Sequence, residues 1–224
     1  MAKAIVSWST GKDSAFALHL ARRELDVVGL VTTVTTAYGR VSMHGVREGL
    51  LARQVAATGL PCRTIGIPSP CSNDDYEREL VTSLAQARDQ GVTRVVFGDL
   101  FLADVRAYRE ALLARVGMTG VFPLWQRDTH ELARDMLAAG VRAILTCVDP
   151  RQLATSFAGR SYDAALLAEL PAGVDPCGER GEFHTFVTDG PMLRAPIAVQ
   201  RGEVVVRDGF AFADLIEAGE QHRA

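Results

Sequence analysis

The 224-residue chain is 48% hydrophobic and 23% charged, with a net charge of −3. That balance describes a globular protein with apolar material for a sizeable core, and it excludes a disordered or fibrous chain. Mild acidity gives no global pull toward nucleic acid or anionic membrane, and no run approaches the ~20 apolar residues of a membrane span. The N-terminus leads straight into an apolar run with no room for a signal peptide. Cys62, Cys71, Cys147 and Cys177 form no Cys-x-x-Cys pair, so neither a zinc site nor a disulfide framework is indicated. A reduced, cytoplasmic setting is expected. Each cysteine reads as a small core residue, with Cys177, in a polar Gly-rich segment, the one to compare with a nucleophile.

In chain order, residues 4–8 read as a short buried strand, and Leu18, Ala21 and Leu25 return at helical spacing, so a helix begins near Asp13 or Ser14. Residues 26–35 are β-branched and nearly continuously apolar, as in a strand buried on both faces. An amphipathic helix from Val46 stops at Gly59, and 62–67 is a third strand. Asn73 or Asp74 caps a helix closed by Gly91. A fourth strand spans 92–100, a helix runs through about 104–116, and 121–125 is the fifth strand. This alternation predicts an α/β fold with a parallel five-stranded sheet of right-handed crossovers. From about 127 the pattern changes: a helix starting at Asp128 or Thr129, a strand at 141–148, a short helix at 162–170 and a Gly-rich loop over 175–191. Runs 197–201 and 203–207 read as an antiparallel hairpin turning at Arg201-Gly202. The expected division is a nucleotide domain over 1–126 and a smaller α+β substrate domain over 127–224.

The first strand–turn–helix junction carries the strongest chemical signal. Ser9-Thr10-Gly11-Lys12-Asp13-Ser14 puts a small polar loop where helix amides and the positive end of the macrodipole attract an anion. Gly11 permits close approach, Ser9, Thr10 and Ser14 add hydroxyls, and Lys12 adds charge. It is not a Walker loop, because Val6 stands where the first Gly is required and Asp13 follows the Gly-Lys pair. At the end of the fourth strand, Gly98-Asp99 falls where parallel sheets bind ligands. Asp99 could hold Mg²⁺ against a triphosphate or cap the helix near Asp104. Arg106 is the arginine nearest that strand end and fits phosphate or carboxylate recognition, whereas Arg109 and Glu110 read as a solvated ion-paired face. His44, placed at the start of the second helix, could contact the nucleotide while its macrodipole keeps the ring neutral, or simply cap. In the late loop, Glu182 and His184 alternate with Phe183, which would put carboxylate and imidazole on one face to position a nucleophile or move a proton.

The Ser9–Ser14 string resembles the PP-loop of the ATP pyrophosphatases, Ser-x-Gly-Gly-x-Asp-Ser, with Thr preceding a single Gly here. Together with Val41-Ser42-Met43-His44-Gly45-Val46, Phe97-Gly98-Asp99, Phe122-Pro123-Leu124-Trp125 and Asp175-Pro176-Cys177-Gly178-Glu179-Arg180-Gly181-Glu182-Phe183-His184-Thr185-Phe186, the chain is similar to the ATP-binding proteins related to diphthine–ammonia ligase. The resemblance implies a Rossmann-like domain of the adenine nucleotide alpha-hydrolase type. It also implies ATP and Mg²⁺: a carboxylate on a small molecule or protein side chain attacks the α-phosphorus, pyrophosphate leaves, and ammonia displaces AMP. Ser9, Gly11, Lys12, Asp13 and Ser14 would hold the phosphates, Asp99 the metal, and Glu182 and His184 would face the acceptor or the ammonia. Free ammonium is the implied nitrogen source. The rival readings are a tRNA-modifying ATP pyrophosphatase, which lacks support from any basic cluster, and a sensor that binds ATP or AMP without turnover. The sequence leaves room for a homo-oligomer.

Overall fold

The computed structural model describes residues 1–218. The last six residues of the expected second domain, 219–224, lie outside the described residues. The first half alternates strand and helix apart from the short β3 after β2: β1 (Lys3–Ser7), α1 (Lys12–Ala21), β2 (Asp26–Thr35), β3 (Arg40–Val41), α2 (Glu48–Thr58), β4 (Cys62–Ile67), α3 (Asn73–Asp89), β5 (Arg94–Val96), α4 (Ala103–Ala114) and β6 (Thr119–Val121). Five of these strands form a parallel sheet in the spatial order β4, β2, β1, β5, β6. The order reverses between β1 and β5, so the ligand crevice of such a sheet opens beyond the carboxyl ends of those two strands.

The sheet has two apolar faces because its strands alternate. Ile5, Val31 and Val95 pack with Leu84 of α3 and Leu112 of α4. Ala4, Val6, Leu30 and Val96 face the other way, into a core that also holds Leu18, Leu50, Leu145, Phe186 and Leu215. This second core is shared with the rest of the chain: α5 (Thr129–Ala138), β7 (Arg142–Val148), β8 (Ser161–Tyr162), α6 (Ala164–Glu169), β9 (Phe183–Asp189), β10 (Val199–Arg207) and β11 (Phe210–Glu217). Here the pairings are antiparallel, with β7 central, β9 along it, and β11 then β10 reaching outward.

Several expected boundaries move, each for a local reason. The fifth strand ends at Val121 rather than 125, since Pro123 has no N–H for a ladder and Trp125 N–H turns back to Phe122 O. The cap of α3 is Ser72, whose hydroxyl accepts from Asp75 N, not Asn73 or Asp74. The C-terminal hairpin does not turn at Arg201-Gly202, where β10 runs on through a bulge at Gly202-Glu203; it turns at Asp208-Gly209. Both turn residues have positive φ, 51° and 83°, the geometry of a two-residue turn matched to strand twist. The antiparallel stub β3 pairs with Val34–Thr35 of β2. Since β4 occupies the other edge of β2 there, β3 lies beyond the end of β1 and carries Ser42–Gly45 over the loop that follows it.

Candidate active site

Asp13 and Ser14 open α1 directly beneath that turn. Ala15 N–H makes the first helical bond, to Gly11 O at 3.1 Å, and Lys12 N–H is taken by Thr185 Oγ1 of β9, also at 3.1 Å. The amides of Asp13 and Ser14 hydrogen-bond no other residue among the described residues, so they remain as anion donors at the positive helix end. Ser9 and Ser14 knit the loop, with hydroxyls 3.1 Å apart and Ser14 Oγ donating to Gly11 O at 3.0 Å. Gly98, at the end of β5, has room for no side chain. A Cβ there would sit 2.6 Å from Asp13 C and 2.7 Å from Ser14 N, so only glycine lets the strand end close on the first helical turn.

The loop is shaped from outside itself. Thr10 has φ 72°, is fully buried, and its hydroxyl has no hydrogen-bond partner. A β-branched residue pays strain in that conformation, and neighbours must impose it. Thr10 O accepts from Val187 N at 3.0 Å and from Gln54 Nε2 at 3.1 Å. Gln54, fully buried on α2, also donates to Val187 O at 2.8 Å and accepts Trp8 Nε1 at 2.8 Å. One amide thus ties the end of β1, the loop and β9 together. No motif marks it, but its place in the helical row with Leu50 and Leu51 is a signal, because an uncharged polar residue on an apolar stripe needs buried partners.

Lys12 is also internal. Its ammonium lies 2.9 Å from Asp13 Oδ2, donates to Cys177 O, and sits 5.4 Å from the ring centres of Tyr162 and Phe183. Burial alone would pull its pKa down, but Asp13, Cys177 and Glu179 outweigh that and hold it above the ordinary lysine value. The expected free phosphate ligand is therefore a charged pin between α1 and the 175–182 loop. Cys177 is buried and its thiol is pushed up to about 12 by burial, which removes it as a nucleophile.

The late loop folds on itself. Glu182 is buried and its two carboxylate oxygens accept from Asp175 N and Arg180 N, each at 2.9 Å, while Asp175 Oδ1 accepts from Cys177 N at 2.6 Å. Glu182 thus does not share the cleft with His184. The expected alternation fails because β9 begins only at Phe183. Glu179 reaches the cleft instead. Its Oε1 accepts from Leu100 N at 2.8 Å and Phe101 N at 3.3 Å, and its pKa is raised to about 7, chiefly by burial, with Asp13 and Asp99 adding to the rise and the two amides opposing it.

A cavity of about 210 Å³ is lined by Ser9, Asp13, Ser14, Gly98, Asp99, Arg109, Glu179 and His184, with Lys12 and Thr185 also on its wall. It adjoins a second space of about 260 Å³ through their shared residues Ser7, Ser9, His44, Phe97, Arg109 and His184. That space lies over the sheet under Tyr76 and Tyr108, with an apolar floor of Val31, Val95 and Leu112. Asp99 does not cap α4, whose N-cap is Leu102. Its carboxylate lies 2.7 Å from Arg109 Nε, yet neither atom gains a hydrogen bond from that geometry. Burial raises the pKa of Asp99 against the pull of Arg109. The roles of the two arginines are reversed from expectation: Arg109 enters the cleft, whereas Arg106 pairs with Glu110 at 2.8 Å and lies over Phe122 and Trp125.

His44 sits on a tight turn before α2, not on its first turn. Its Nδ1 lies 3.0 Å from Thr185 O, so Nδ1 carries the proton and Nε2 is left as an acceptor. The His44 and His184 rings meet at 4.6 Å. Burial pushes His44 down to about 4 and His184 to about 3, with Lys12 adding to both and His44 adding to His184. Both rings are neutral near pH 7, through burial rather than a helix dipole. Gly11 is required beneath them, since a Cβ would lie 2.6 Å from His44 Cε1.

The family model described as diphthamide synthase N-terminal domain matches residues 2–120, and that described as diphthamide synthase C-terminal domain matches 128–218. The chain belongs to the diphthamide synthase family. Proteins named diphthine–ammonia ligase from Rattus norvegicus and Homo sapiens are each 30% identical over 187 residues, covering 81% of this chain and 70% of theirs. A solved structure from Methanocaldococcus jannaschii, described as a predicted subunit of tRNA methyltransferase, overlaps with a TM-score of 0.45 at 18% identity, covering 88% of this chain and 100% of that one. The chain is thus an enzyme of a ligase family, and among its described residues no helix is long and apolar enough to cross a membrane.

Proposed function

We propose that the chain binds ATP in this cleft and adenylates a carboxylate, releasing pyrophosphate, with ammonia then displacing AMP to leave an amide. The observation that carries this reading is the meeting of the open Asp13 and Ser14 amides with Glu179, Asp99 and His184 around one cavity. The triphosphate rests on those amides and the Ser9 and Ser14 hydroxyls, and the adenine enters the apolar space over the sheet. Residues 1–126 serve as the ATP domain and 127–224 as the acceptor domain.

Carboxylate oxygens suit Mg²⁺, which takes one or two protein carboxylates and otherwise phosphate oxygens and water. Asp99, with its buried oxygen lacking a hydrogen bond, and Asp13 fit that demand. Bound there, the ion would neutralise charge building on the leaving pyrophosphate.

Ammonium must lose a proton before it can attack an acyl-adenylate. Glu179 meets the geometric need, and its raised pKa matches a base working near neutrality. His184, neutral and on the same cavity wall, can donate its one ring N–H to the acceptor carboxylate but carries no second proton at that pH. Arg109 in the same wall offers charge to the α-phosphate or the carboxylate. The acceptor class follows the relatives' name, diphthine.

The test is pyrophosphate release and AMP formation with ATP, ammonium and candidate carboxylates, for the parent chain and for Asp13→Ala and Glu179→Gln. Acceptor-dependent AMP, lost in both variants, is the expected result. AMP appearing only with tRNA would replace the acceptor class, and ATP binding with no AMP under any acceptor would replace the ligase by a sensor.

A further inference from the structure

β10 is the outer strand of the second sheet, paired with β11 on one side and with no strand on the other among the described residues. It carries Val204, Val205 and Val206 exposed by 48%, 40% and 68%, three consecutive apolar residues on an open edge. Such an edge invites another strand unless charges block it. Here the flanking charges are Glu203 and Arg207.

The hairpin turn fixes which groups face outward. In a two-residue turn the flanking residues, Arg207 and Phe210, exchange backbone hydrogen bonds, so Val205 and Phe212 do the same two residues back. Val204 and Val206 therefore point their N–H and C=O groups away from β11, toward the open side. An antiparallel pairing of β10 with a second β10, centred on Val205, sets Val204 against Val206 in hydrogen-bonded pairs and places Val205 against Val205. In that register Glu203 of each strand, at the end of the bulge that precedes Val204, comes opposite Arg207 of the other. Centring on Glu203 opposes two glutamates, and centring on Val204 opposes Arg207 with Arg201. The residues that would repel a foreign strand thus fit a copy of their own.

We infer that the chain forms a twofold dimer through antiparallel pairing of β10, in the register centred on Val205. A twofold interface uses one patch on both partners, as this edge does. Val205 and Arg207 also line a cavity of about 250 Å³ with Tyr38, Met43, Phe210 and Phe212, on the far side of the Val41–Met43 segment that walls the ATP cleft. The partner strand would extend that cavity's rim. The inference is independent of the ligase reading, since it rests on strand geometry alone.

The experiment is light scattering coupled to size exclusion, over a dilution series of the full chain, with circular dichroism to follow the fold. Val206→Pro removes one outward N–H and leaves the β10–β11 bonds in place. The expected result is a dimer for the parent chain and a folded monomer for Val206→Pro. Glu203→Arg or Arg207→Glu alone should weaken the dimer about tenfold or more through like-charge opposition, and the double swap should restore it. A parent chain that is monomeric at every concentration, or a dimer indifferent to Val206→Pro, or a double swap weaker than either single, would overturn the inference.

Discussion

The loop at Ser9–Ser14 and the loop at Asp175–Glu182 meet across one cleft, yet they hold their shapes by opposite means. The first is strained at Thr10, leaves the Asp13 and Ser14 amides open, and depends on Gln54, Thr185 and Val187 from elsewhere. The second directs Glu182 and Asp175 back onto its own amides and is closed before any ligand arrives. One loop keeps donors available for an anion, and the other is a rigid arm that holds Glu179 at a set position. The pair teaches that a carboxylate's role follows from whether its own loop has already satisfied it: Glu182 is structural and Glu179 is available, three residues apart.

Breaking the rigid arm should have the largest effect. Glu182→Ala strands two amides at about 1–3 kcal/mol each, so the chain should lose about 2–6 kcal/mol in denaturant unfolding and all pyrophosphate release. Glu179→Gln sharpens the contrast: the fold should be as stable or more so, while the amide-forming step falls about 10²-fold or more. A Glu179→Gln chain that turns over normally would return the base role to another group.

Acid tests the neutral imidazoles between the loops. Folded His44 and His184 take protons only near pH 4 and 3, whereas unfolded rings do so near the ordinary 6.5. The unfolded state then binds more protons, so these two groups contribute stability that is present above pH 6.5 and lost as pH falls toward 3. Glu179 runs the other way: its folded pKa of about 7 exceeds the ordinary 4.5, so it costs stability as pH rises through that window. Asp99, also raised by burial, acts in the same direction as Glu179. The two rings, each held well below 6.5, outweigh these carboxylates, which predicts a net loss on acidification, read from unfolding midpoints between pH 7 and 4. His184→Asn should flatten the slope.

The smallest effect concerns the strained side. Thr10→Gly relieves the positive φ and the orphaned hydroxyl, and should raise stability by up to about 1 kcal/mol with ATP affinity unchanged. A drop in affinity would mean that the threonine hydroxyl serves the ligand after all.

Much of this comparison was legible in the sequence. The apolar run into Ser9–Ser14 and the apolar-to-polar change at Gly98-Asp99 placed both strand ends at the crevice, because buried parallel strands write themselves as continuous hydrophobic runs. Glycine density marked the late loop for the same reason that it adopts several positive-φ turns. What failed was direction. Arg106 and Arg109 share a helix, and local sequence does not say which faces the sheet end. Extending β9 one residue early put Glu182 on the wrong face, since strand alternation holds only inside the ladder. The Asp208-Gly209 turn carried a strong hairpin signal that the neighbouring Arg201-Gly202 obscured. Gln54 could not be assigned partners from sequence because all three lie on other elements.

The most direct measurement is a crystal structure of the chain with Mg²⁺ and a non-hydrolysable ATP analogue. The account predicts the terminal phosphates on the Asp13 and Ser14 amides and the α-phosphorus facing Glu179 and His184. A nucleotide bound away from this cleft, or one whose α-phosphorus turns its back on Glu179, would contradict it.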